Sequence, residues 1–208
     1  FEDHGLYPVY VVLVHTGTKL SNVIRRVTNG PFSHAAISFD SSMDHLYSFG
    51  TAGIGPDAKN PFSNGFTVDN LSSIASKHKN VPYAVYVVPS TKVEVDMMKQ
   101  RLEDFVKNRT KFRYNKLGLL KTYLGISDNP QYKYFCSQFV ADILRAGRPG
   151  NSFLADPSLI KPMDLTNFEE AIQVETGESI ENYDSRRIDR ETKRILNAAK
   201  LLRSVREK

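Results

Sequence analysis

Cysteine is nearly absent: Cys136 is the single one in 208 residues. One thiol excludes an internal disulfide framework and any metal site built on several cysteines. It also favours a reducing compartment, so a cytoplasmic or virion-associated location is expected over secretion. Long apolar runs are missing too. The longest near the start, Val9 to Val14, suits a buried strand and falls far short of the ~20 residues of a spanning helix. No metal-ligand spacing and no phosphate-cradling motif are present. Gly50 to Gly55 (GTAGIG) lies in no dinucleotide or P-loop context, so no cofactor is expected. The first residue is Phe1 rather than methionine, which reads as a fragment or a processed product.

What is present fits one globular domain: 40% apolar and 25% charged residues are the proportions of an ordinary soluble fold. The net charge of +5 is uneven. Residues 184–208 hold nine Lys/Arg against four Asp/Glu, which is the whole excess. The remainder, 1–183, is neutral, so the basic balance is no argument that the globular part binds nucleic acid. The division expected is a domain over 1–183 and a basic helical tail over 184–208. In that tail Ile188, Thr192, Ile195, Ala199 and Leu202 follow the four-three spacing of a narrow seam. Two readings stand: a solvated helix packing on its own domain, or a segment that docks on an acidic partner or assembly.

Along the chain, Pro8 to Val14 predicts a strand, and Leu20, Val23, Ile24 and Val27 a helix stopped by Asn29-Gly30-Pro31. SHAAISFD predicts a strand opening at His34, and HLYSF a return strand. Gly50 to Gly65 is a long loop, Phe66 to Val68 a brief strand and Leu71 to His78 a short helix. Tyr83 to Val88 is a strand. A helix from Pro89-Ser90-Thr91 to about Asn108 buries Met98, Leu102 and Phe105. A second, smaller helix is expected within Phe112 to Leu124, and a last strand within Ala171 to Glu175. Hairpin-length spacing between the early strands implies α+β with a mainly antiparallel sheet.

The chemistry concentrates in YFCSQFVADIL, Tyr134 to Leu144. Phe139, Val140, Ile143 and Leu144 follow Cys136 at helical spacing, and Gly147 and Pro149 end the pattern. Cys136 therefore opens a helix, where unpaired N–H groups and the dipole favour an anion. A thiol there is expected to have a lowered pKa, and the same N–H groups could bind an oxyanion. The bland alternative is an inert, buried cysteine. A thiol nucleophile also needs an imidazole and a third polar group that orients it. Of five histidines, His4 lies near a terminus and His78 in a polar stretch. His15 and His45 flank strands. His34, among small neighbours Ser33, Ala35 and Ala36, leaves room for a helix end.

A histidine opening a strand (SHAAISFD), a return strand (LYSFG) and a distant cysteine opening a helix (YFCSQFV) resemble the circularly permuted branch of the NlpC-type papain-like superfamily, which includes lecithin:retinol acyltransferase-like proteins. The likeness spans roughly Val9 to Leu144. It implies an antiparallel sheet packed on the cysteine helix, with Cys136 as nucleophile and His34 as base. It places Ser48 in the third position, a departure, because the family more often has His, Glu, Asn or Gln there. His45 is the fallback, on the opposite face of the strand from Ser48. The function implied is a cysteine-dependent hydrolase, a thiol peptidase or amidase, working on a peptide, amide or ester through an acyl-enzyme. The alternatives are an acyltransferase of the same fold and a catalytically idle papain-like adaptor acting through its basic tail.

Overall fold

The computed structural model describes residues 5–15, 22, 30–50, 65–77 and 80–206. The helix expected around Leu20 to Val27, the body of the Gly50 to Gly65 loop, His4 and His78 lie outside the described residues. The described strands are β1 (Tyr7–Val14), β2 (His34–Ser38), β3 (Leu46–Gly50), β4 (Gly65–Asp69), β5 (Tyr83–Ser90), β6 (Arg113–Tyr114), β7 (Lys133–Tyr134) and β8 (Ile172–Gly177). The helices are α1 (Leu71–Lys77), α2 (Lys92–Lys107), α3 (Lys116–Tyr123), α4 (Cys136–Gly147) and α5 (Ser185–Arg206). Short 3-10 turns occupy Ser152–Leu154, Pro157–Leu159, Pro162–Asn167 and Ile180–Asn182.

Among the described residues the sheet has six strands in the order β4-β3-β2-β1-β5-β8, and every pairing is antiparallel. The class is α+β with an antiparallel sheet, as the hairpin spacing predicts. Central β1 and β5 are apolar at successive positions because both faces are covered. Val9, Val11 and Leu13 of β1 join Ala35, Ile37, Ala84 and Val88 on one face, under α2 and α4. Tyr10, Val12 and Val14 join Ala36, Val85 and Val87 on the other, under Leu71 and Ile74 of α1 and Ile188 of α5.

Local sequence explains the two helices of the first face. In α2, Thr91 accepts from the Glu94 N–H while the Glu94 carboxylate accepts from the Thr91 N–H, a reciprocal cap. Its buried stripe is Val95, Met98, Leu102 and Phe105. In α4, Phe139, Val140, Ile143 and Leu144 are all fully buried, and Phe139 touches the aromatic cluster of Phe49, Phe66 and Phe105. Burying such side chains stabilises by ~1.5–3 kcal/mol each. That packing presses the first turn of α4 against β2 and β3.

The start of the tail packs on its own domain. Ile188 is 0% exposed, Thr192 is 2% exposed, and the Tyr10 hydroxyl donates to Thr192 at 3.3 Å. Arg187 pairs with buried Glu175 of β8. The first half of the seam is thus part of the core of the second face. Only the far turns leave Leu201, Leu202 and Val205 exposed.

Candidate active site

Cys136 is the first residue of α4, after Phe135 in extended conformation. The Phe135 N–H donates to the Gln138 side-chain oxygen at 3.4 Å, which fixes where the chain turns into the helix. The Cys136 sulfur is fully buried. Hydrogen bonds reach it from the main chain of Ala35, of Ser137 and of Cys136 itself, and from the Tyr114 hydroxyl. The helix-start donors expected from the sequence are therefore there. The lowered pKa expected from them is not. Burial acts first and pushes the thiol above its ordinary value, and the four hydrogen bonds only offset part of that. Removing a sulfur anion from water costs more than these neutral dipoles return.

His34 opens β2, and Ser48 lies in the middle of β3. The ladder between these strands is a single pair, Ile37 with Tyr47. Toward the site, side chains take over. The Ser48 hydroxyl donates to the Ala35 carbonyl at 2.6 Å and lies 3.1 Å from His34 Nε2. Ser48 has one proton, and the shorter bond uses it. At His34 it can only accept, so Nε2 carries the imidazole hydrogen and Nδ1 keeps a lone pair. Burial lowers the His34 pKa from 6.5 to about 4, so the ring is neutral at physiological pH.

The structure thus brings Ser48 to His34, whereas His45 is exposed and stacks on Tyr47, with ring centroids 6.4 Å apart. His15 is engaged elsewhere, 3.0 Å from Ser33 Oγ. Cys136 and His34 share no direct hydrogen bond among the described residues. They are joined through Ala35, whose main chain bonds the sulfur and whose carbonyl takes the Ser48 hydroxyl. His34 and Ser48 line a small cavity with Val12, Val14, Ala36, Leu46 and Ile74, on the α1 side of the sheet. Cys136 approaches with α4 from the other side.

Two site residues escape a reading of the sequence. Strand β6 runs parallel to β7, with Tyr114 opposite Tyr134, and the Asn115 N–H donates to the Tyr134 carbonyl at 2.8 Å. This sets Tyr114 beside the turn that leads into Cys136. Asn115 then caps α3 through the Gly118 N–H, at 2.9 Å. A side chain at position 118 would collide with Asn115, so glycine is what lets this cap close. Tyr123, at the end of α3, packs, like Tyr114, against the buried cluster of Leu119 and Phe135. The pKa of Tyr114 is raised well above its ordinary value by burial first, then by the Cys136 charge and hydrogen bond. Tyr123 is raised likewise, by burial, then Cys136 and Asp164. The sequence signal was limited to Asn115 as a cap. A two-residue parallel ladder leaves no periodicity to read.

Comparison with family models, with curated proteins and with solved structures finds no match for the chain. Among the described residues no group of three His, Cys, Asp or Glu could hold a metal ion, and no helix is long and apolar enough to cross a membrane.

Proposed function

We propose that the protein is a cysteine-dependent acyl hydrolase, a peptidase or amidase, with the permuted NlpC-type papain-like arrangement. The observation that carries this reading is the proton order around Ala35. His34 Nε2–H donates to Ser48, Ser48 donates to the Ala35 carbonyl, and the Cys136 sulfur sits on the main chain of the same residue. That order leaves His34 Nδ1 with its lone pair, the tautomer a base for a thiol requires, while the imidazole rests on the α1 side of the sheet, opposite α4. The Ser48 hydroxyl takes the orienting place and supplies a dipole without a charge.

The resting pair is neutral, because burial disfavours both the thiolate and the imidazolium. Proton transfer then accompanies attack rather than preceding it. The Cys136 sulfur bonds to the substrate carbonyl carbon as its proton passes to His34, a transfer that requires the imidazole to turn from the α1 side of the sheet toward α4. The carbonyl π pair moves to oxygen, where the N–H groups of Cys136 and Ser137 can donate. His34 returns the proton to the leaving nitrogen or oxygen as that bond breaks. Water, activated by the same imidazole, releases the acyl group.

The test is an acylating probe, an activated ester such as p-nitrophenyl acetate, followed by intact-mass measurement and by assay against peptide and isopeptide amides. Wild type is expected to form a Cys136 adduct and turn over. Cys136→Ser should form none, and His34→Ala should acylate slower by about 10²–10⁴-fold. A second reading has its own support. A thiol that is fully buried and raised in pKa also suits an idle module that attaches through its basic tail, for which the exposed Leu201, Leu202 and Val205 beside Lys200 and Arg203 are the contact surface. Equal inertness of wild type and Cys136→Ser toward the ester would select that second reading.

A further inference from the structure

The hydroxyl of Tyr123 is buried and has no hydrogen-bond partner, although the rest of the residue is half-exposed. An unpaired buried hydroxyl costs about 1–3 kcal/mol relative to a satisfied one. Folded proteins keep few such groups, and each invites an explanation. The neighbours of Tyr123 suggest one. Its ring packs on Leu119 and on Phe135, the residue before the thiol. Lys161 Nζ stands 5.7 Å from its ring centroid. Tyr114, the other tyrosine of this cluster, has already spent its hydroxyl on the sulfur.

We infer that the Tyr123 hydroxyl is the side-chain donor to the oxyanion formed when Cys136 attacks a carbonyl. The inference rests on the acyl-enzyme reading above and adds a catalytic residue to it. The resting structure leaves this O–H without a partner because the group it serves does not yet exist. As the carbon–sulfur bond forms, the carbonyl π pair becomes an oxygen lone pair, and Tyr123 Oη–H donates to it without giving up its proton. When the leaving group departs, that pair re-forms the carbonyl and the hydrogen bond relaxes. The main-chain N–H at the start of α4 is the second donor. Burial and nearby negative charge hold Tyr123 protonated throughout, which keeps it a donor.

Two small reagents separate this role from a structural one. Iodoacetamide reacts with the sulfur by displacement and forms no oxyanion. p-Nitrophenyl acetate reacts through one. In Tyr123→Phe the ring and its packing remain, so the alkylation rate should stay within about twofold of wild type. Acylation should slow by about 10²-fold, the usual cost of removing one oxyanion donor. Tyr114→Phe should do the reverse in part: it removes a hydrogen bond to the sulfur, so the pH profile of alkylation should move up. Equal losses in both reactions for Tyr123→Phe, with the melting temperature unchanged, would assign it to covering the thiol and overturn the inference. So would equal rates throughout. A wild-type protein that alkylates but never acylates would instead overturn the acyl-enzyme reading itself, and this inference with it.

Discussion

At the scale of single residues, the neutral His34 carries a cost that acid exposes. Its pKa is 6.5 in an unfolded chain and about 4 in the folded one. Between these values the unfolded state holds a proton that the folded state does not. Stability therefore falls as pH drops from about 6.5 to about 4, by up to ~3 kcal/mol at 1.36 kcal/mol per unit. Above 6.5 both states are neutral and the effect vanishes. His34→Gln keeps a donor toward Ser48 but cannot take up the proton. Urea unfolding from pH 7 to pH 4 should show wild type losing stability faster than the variant, and parallel curves would mean His34 is more hydrated than its cavity implies. The residues of the site were partly legible. Cys136 and His34 open a helix and a strand marked by local pattern, and Ser48, in the middle of its strand, lies 3.1 Å from the imidazole. The thiol pKa was not legible, because its sign depends on burial, which only the full fold determines. Nor were Tyr114 and Tyr123, which arrive through pairings between segments far apart in sequence.

At the scale of elements, most strands and helices follow from period and capping. The alternation after His34, the unbroken apolar run of β5 and the Thr91–Glu94 cap of α2 are all written locally. The stretch Phe112 to Leu124 was only half readable: α3 is there, and the two-residue β6 that precedes it is not periodic. The seam of α5 was legible as a seam, but its partner was not. An apolar stripe does not say whether it meets its own sheet or another molecule. The structure divides it. Ile188 and Thr192 are buried and Leu201 to Val205 are exposed. Removing residues 200–208 should therefore change the unfolding free energy by less than about 0.5 kcal/mol, whereas Ile188→Ala should lower it by about 2–5 kcal/mol. Denaturant titration measures both. A large loss from the truncation would show that the far turns also complete the core.

At the scale of the whole molecule, charge and core are placed apart. The net +5 comes from residues 184–208, yet the start of that segment is anchored by Ile188 and by the Arg187–Glu175 pair. What remains free for an acidic partner is the outer side and the end of α5. Deleting 200–208 removes Lys200, Arg203, Arg206 and Lys208 together with Glu207, leaving +2. The shortened protein should elute from an anionic resin at lower salt, since exposed charges beyond about 10 Å are screened at ~0.1 M salt. Unchanged elution would place the attractive surface on the domain instead.

The order of the layers along the chain has a consequence for synthesis. Helices α2 and α4 leave the ribosome before β8 and α5, so the first face of the sheet can close while the second still waits. At the ~5–20 residues per second of translation, Tyr10, Val12, Val85 and Val87 stay uncovered by α5 for the time needed to make the last elements. A chain cut just before Ser185 would keep Cys136, His34, Ser48 and both tyrosines. It would also show quality-control proteases a bare apolar strip, and would be destroyed with its candidate site intact.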